Sequence, residues 1–247
     1  MKKLLGLAIL LVCGTAAAST RSGFGMTVLV DDQPRPEYPA RGSVYVEALR
    51  GAEYSIRLTN PTPYRVAVAL SVDGLNTIDA KHTDAKSAAK WVLNPYESTV
   101  ISGWQVNDQT ARKFFFTGER ESYGNALGQT ENLGIIEAVF YREKRPKITV
   151  RPRPEEDSRR EAGASQAPSA ANVAPKDDYA ATGMGSRTTH EIEMVDIDLE
   201  STPAARVAIR YEFHPQLVRL GVLPQYESPL DRREHAQGFG SYCPEPR

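Results

Sequence analysis

Four histidines are the imidazoles of this chain: His82, His190, His214 and His235. They share no metal-ligand spacing of the His-x-Glu-x-x-His kind, so each reads as a solvated side chain. Asp73, Asn76, Asp79 and Asp84 crowd oxygen atoms into one short stretch. Calcium takes such ligands. The spacing is not that of an EF-hand loop, however, and Asp-Gly with Asn is ordinary turn chemistry. Glu191 and Glu193, then Asp196 and Asp198, are paired carboxylates of the type that hydrolyses glycosides; as neighbours on one strand they more simply form a solvated face. Ser98, Ser102 and Ser122 lack a Gly-x-Ser-x-Gly context. Gly183-Met184-Gly185-Ser186 resembles a phosphate loop only in its glycines. It has no lysine and no buried strand before it, and reads as a hinge. The aromatic candidates for stacking on sugars are Trp91, Trp104, Tyr96 and Tyr123. Trp104 is in phase with Val100 and Val106 and belongs to the core, whereas Tyr96 and Tyr123 fall in turns. The candidate ligand-binding residues are therefore Tyr96, Tyr123, Asp73, Asn76 and Asp79. No catalytic set, metal site or cofactor motif is expected.

The elements that must position these residues are strands. Val44-Tyr45-Val46 is a short one. In Tyr54 to Asn60, Tyr54, Ile56 and Leu58 face one way and Ser55, Arg57 and Thr59 the other, the alternation of a half-buried strand. Asn60-Pro61-Thr62-Pro63 turns the chain. From Tyr64 to Val72 neither face is strongly polar, which places that strand at the centre of a sheet. Asp73-Gly74 then signals a tight turn. Trp91 to Leu93, Ser98 to Val106, Lys113 to Thr117 and Asn132 to Arg142 complete the first block, with a short helix admissible only over 79–90. Residues 151–181 are rich in Ala, Ser, Pro, Gly and charge and poor in large apolar side chains. They cannot offset the entropy of ordering and read as a flexible, disordered linker. Two strands follow. His190 to Glu200 slips phase at Met194-Val195, as at a β-bulge. Arg206 to His214 alternates strictly, with Val207, Ile209, Tyr211 and Phe213 on the apolar side. The pattern predicts a mainly β protein, an antiparallel β-sandwich of roughly seven to nine strands with a long excursion between strands. Its parts are residues 19–150, the linker 151–181, the completing strands of 182–223 and a polar tail over 224–247.

The N-terminus sets the compartment. Met1-Lys2-Lys3, an apolar run from Leu4 to Val12 and Ala16-Ala17-Ala18 make a secretory signal cut after Ala18. The run is too short to span a bilayer, which takes about 20 residues, and no later segment would span after signal removal. Val12 before Cys13 departs from the small residue that a lipoprotein signal places there. Loss of Lys2 and Lys3 takes the 30 Lys and Arg to 28 against 31 Asp and Glu. That balanced surface carries no electrostatic footprint for nucleic acid. Cys243 would be the one remaining cysteine, so packing must hold the fold.

Glu53-Tyr-Ser-Ile-Arg-Leu-Thr-Asn-Pro-Thr62, then Val68 to Asn76, Trp91 to Tyr96 and Ile101 to Gln105 together resemble an uncharacterised family of exported bacterial β-proteins. The resemblance covers the first block and the last two strands. It implies export and a β fold, and supplies no functional residues. The expected function is a non-catalytic binding or structural module of the bacterial envelope, periplasmic or extracellular, with an envelope protein or a second copy as partner. A carbohydrate-binding module is the alternative, favoured if Tyr96 and Tyr123 share a surface. A carboxylate-dependent hydrolase comes third.

Overall fold

Apolar alternation dictates the architecture, because each strand must bury one face and only a second sheet can cover it. The computed structural model describes residues 19–21, 23–144 and 177–224. Among these, fifteen strands form. They are β1 (Ser19–Arg21), β2 (Phe24–Val30), β3 (Gln33–Pro34), β4 (Glu37–Ala40), β5 (Ser43–Ala48), β6 (Glu53–Thr59), β7 (Val66–Val72) and β8 (Leu75–Asn76). After them come β9 (Trp91–Leu93), β10 (Ser98–Ile101), β11 (Gly103–Asn107), β12 (Thr110–Gly118), β13 (Ile135–Arg142), β14 (Ala180–Thr189) and β15 (Ala205–Phe213). Two short helices, α1 (Tyr123–Ala126) and α2 (His214–Arg219), lie at strand ends.

One sheet runs β1-β2-β6-β12-β11, with β3 also on β2, β10 on β6 and β14 on β12. The other runs β4-β5-β15-β13-β7-β8, with β9 also on β7. Every ladder is antiparallel except β5 with β15. Facing side chains of the two sheets fill one core, among them Ile56, Leu58, Val68, Leu70, Phe140 and Ile209. This is the expected β-sandwich, and removing any such side chain from water contributes about 1.5–3 kcal/mol.

The faces of β6, β7 and β15 are those read from alternation. Tyr54, Ile56 and Leu58 are buried while their neighbours are half-exposed. β7 is buried along nearly its whole length between β13 and the β8 and β9 pair. In β15, Val207, Ile209, Tyr211 and Phe213 point inward.

Four expectations need correction. Ser98 to Val106 is two strands rather than one. The chain breaks at Ser102, so Ile101 and Trp104 enter the core while Val100 and Val106 are 42% and 52% exposed. No helix forms over 79–90, which is turns and irregular chain; Asp79 and Asp84 instead accept hydrogen bonds from amides two residues ahead. The supposed hinge Gly183-Met184-Gly185-Ser186 lies inside β14, and this strand begins at Ala180, within the expected linker. Finally, His190 to Glu200 belongs to no strand and makes only an isolated bridge at Leu199. The secretory signal over 1–18, most of the linker, both cysteines, His235 and most of the tail lie outside the described residues.

Candidate functional site

The Asp73-Gly74 turn organises the most unusual chemistry of the molecule. Val72 pairs with Leu75, so these two residues form the whole connection between β7 and β8. Both have positive φ, 53° and 77°, the backbone of a type I′ hairpin turn. Gly74 is doubly required, since a Cβ there would also lie 2.7 Å from Asn132 Cβ. A turn aspartate usually faces water, but this one is turned inward. Asp73 Oδ1 accepts from Gly134 N at 2.8 Å and from the Tyr211 hydroxyl at 2.5 Å, and Oδ2 accepts from Thr182 N at 2.7 Å.

The network continues through the core. Thr182 Oγ1 is 2.7 Å from the Tyr211 hydroxyl and 2.7 Å from that of Tyr54. Each hydroxyl has one proton to give. With Tyr211 donating to Asp73, Thr182 donates to Tyr211 and Tyr54 donates to Thr182, so all three protons point along the chain toward the carboxylate. An aromatic cage seals it: Tyr54 stacks on Phe116 with centroids 4.2 Å apart, and Tyr211 lies 5.3 Å from the same ring. Burial pushes the Asp73 carboxyl up to about 7, against the Tyr211, Thr182 and Gly134 donors that favour its charge. Burial, reinforced by the Asp73 charge, raises both tyrosine hydroxyls well above their ordinary value.

A second carboxylate shares the work. Glu212 Oε2 accepts from Ala180 N at 3.1 Å, and burial raises its pKa too. Ala180 and Thr182 therefore give their amide protons to acids carried by the opposite sheet. That fastens β14 across the sandwich and satisfies amides that a buried strand edge would otherwise leave without partners.

Outside this core lies a cleft of about 310 Å³, lined in part by Ser71, His82, Asp84, Asn132, Glu137 and Arg206. Arg206 pairs with Glu137 at 3.1 Å. A depression of about 200 Å³ adjoins it, walled by Asp73, His82, Gln129 and Asn132 among others. His82 belongs to both, and its Nδ1 is 3.0 Å from Gly74 O. The cleft offers an imidazole, an ion pair and amides to a small polar molecule.

The candidate residues read from the sequence do not converge. Asp73 is in the core. Asn76 is buried, accepting from Ile78 N and donating to Ala89 O, each at 2.8 Å. Asp79 accepts from Lys81 N at 3.2 Å. The three oxygen sets thus serve different partners, and among the described residues no three His, Cys, Asp or Glu side chains are grouped to hold a metal. Tyr123 is half-buried with its ring 5.0 Å from that of Trp104, near the Tyr54 end of β6. Tyr96 stands at the other end of β6 and is 68% exposed. About 20 Å of strand separates them, so they share no surface.

Tyr96 instead shares a tip with Tyr64. Buried Asn60 clamps both turns, donating from Nδ2 to Tyr64 O and Asn94 O at 2.7 Å each, and accepting from Thr62 N at 3.0 Å. Tyr96 has φ 58°, a left-handed conformation costly for a residue with a Cβ. The repeated Asn-Pro before each tyrosine was the available sequence signal. Tyr54 and Tyr211 carried another, since a tyrosine on a core face needs a partner for its hydroxyl.

The remaining feature is the 190–200 segment. His190 N and Ile192 N donate to Gln109 O and Asp108 O, at 3.0 and 2.9 Å. At the far end Lys144 N donates to Asp198 O at 2.7 Å and Glu200 N to Arg142 O at 2.9 Å. Between Glu193 and Ile197 no backbone hydrogen bond forms with any described residue. Met194 is 87% exposed and Val195 46%. Glu191, Glu193, Asp196 and Asp198 are all exposed, so this carboxylate series forms no cleft. Set against known proteins, the chain matches no family model, no curated protein and no solved structure.

Proposed function

We propose that this chain is an exported, non-catalytic binding or structural module of the bacterial envelope, one of a family of such β-proteins, acting by contact with another protein. The observation that carries the reading is the 190–200 segment. It is tied down at both ends yet holds Met194 and Val195 in water, a disposition typical of surfaces that another molecule covers. The buried acids support it from the other side: Asp73 and Glu212 are engaged in fastening β14. The expected cut after Ala18 would leave β1, which starts at Ser19, whole. The test is fractionation of the expressing cell with mass analysis of the exported form, followed by capture from envelope extract. A mature start at Ser19 and one stoichiometric protein partner are expected. A cytoplasmic, uncut chain would overturn the reading.

The Tyr64 and Tyr96 tip favours one second reading, carbohydrate binding, because an exposed tyrosine on a rigid, polar-rimmed turn can stack on a sugar ring. Tyr96→Ala should then abolish retention on a polysaccharide column; unchanged retention would remove the tip from consideration.

A further inference from the structure

Ile192 to Leu199 has the composition of a strand, with Ile192, Val195, Ile197 and Leu199 in eight residues. Its two ends show which side is in use. His190, Ile192, Asp198 and Glu200 direct their bonded main-chain groups inward, to the 108–109 turn or to the end of β13. Extended chain alternates direction at each residue, so Glu191 and Leu199 turn their amides and carbonyls outward. Among the described residues the ladder of 142–144 with 198–200 ends at Lys144, and no described residue pairs with the middle of the segment. Charge narrows the occupant. Residues 188–205 contain five acids and no Lys or Arg. All five acids are exposed, and none forms an ion pair with a described residue. A second copy of the same segment would be repelled.

We infer that the 190–200 segment is a docking edge for an extended, basic segment of a partner protein, added as a β-strand with its apolar side chains on the face of Val195 and its basic ones on the face of Asp196. The inference rests on the binding reading above. Main-chain bonds supply the attachment in such additions, and alternate side chains supply the selectivity; here opposite charges face one another across the new pair.

The test uses the full mature chain and a labelled peptide of about ten residues alternating Lys and Val, long enough for a strand, with the Glu and Val counterpart as control. Saturable binding of the Lys peptide is expected, weakening as salt rises. Glu193→Lys with Asp196→Lys should weaken it by about tenfold or more and transfer preference to the Glu peptide. Val195→Pro, which removes an outward amide, should abolish it with the melting temperature unmoved, which separates lost docking from lost folding. Equal binding of both peptides, or binding indifferent to Val195→Pro, would overturn the inference. So would a captured partner whose binding ignores these variants, although the binding reading would survive that result. If replacing residues 145–153 by Gly and Ser is needed before the Lys peptide binds, the chain's own basic stretch occupies the edge, and the assignment to a partner protein is wrong.

Discussion

β15 and the 190–200 segment are near neighbours in sequence, similar in length and alike in β-prone composition, yet one buries a complete apolar face in the core and the other pairs with no described residue through its middle. The difference does not lie in propensity. β15 has β13 on one side and β5 on the other, and its apolar face meets the opposite sheet. The 190–200 segment has partners only at its ends, and its phase slip leaves Met194 and Val195 with no common face to bury. Alternation decides which face a strand buries, but neighbours decide whether it is a strand at all.

The largest effect should come from charge inside β15. Ile209 is fully buried, so Ile209→Asp should cost about 4 kcal/mol or more and leave little folded protein in a urea titration. Met194→Asp, the matching change in the exposed segment, should move stability by no more than about 0.5 kcal/mol. Comparable losses would erase the distinction.

Next is the anchor of β15 at Tyr211. The folded Asp73 carboxyl titrates at about 7 against 3.8 in the unfolded chain. Between those values the folded state holds the extra proton, so stability is greatest below about pH 4, falls as pH rises toward 7, and levels off above. The span is on the order of 4 kcal/mol at most, and Glu212, also raised, acts in the same direction. Urea midpoints measured from pH 4 to pH 8 should therefore decline. Asp73→Asn should remove most of the slope. It should also lose about 2–3 kcal/mol at pH 5, because its amide group offers one oxygen where three donors converge. A midpoint that rises with pH would contradict this description of the core.

Gly74→Ala perturbs the same anchor through its turn. The positive φ and the Asn132 contact should together cost about 1–2 kcal/mol, read as a lowered melting temperature. Smallest is Tyr96→Gly, which relieves a left-handed tyrosine and should raise stability by about 0.5–1 kcal/mol. A loss there would mean that the Tyr96 ring holds the tip together.

The parts legible in the sequence were those where one residue type reports one environment. The inward faces of β6, β7 and β15 followed from alternation, and the I′ turn from Asp73-Gly74. β14 was hidden because its side-chain space is filled by its neighbours: a Cβ on Gly183 would collide with the Phe115 ring, and Trp104 Nε1 donates to Gly183 O at 3.2 Å. Glycine there is a packing requirement across a ladder, and no local pattern reports it. The site was harder still. Asp73, Thr182, Tyr211 and Tyr54 are up to 157 positions apart in the chain, and only the closing of two sheets brings them together. Tyr123 misled because a turn position was equated with exposure, whereas Trp104 offers it a ring to pack against.

Native-state amide hydrogen exchange, resolved by residue, compares the two regions in one experiment. Amides of Glu193 to Ile197 should exchange at nearly the rate of unfolded chain, while those of Ile209 and Tyr211 exchange only through global opening. Protection of Met194 and Val195 comparable to that of Ile209 would show that the 190–200 segment is a paired strand, and would contradict both the free edge and the function proposed for it.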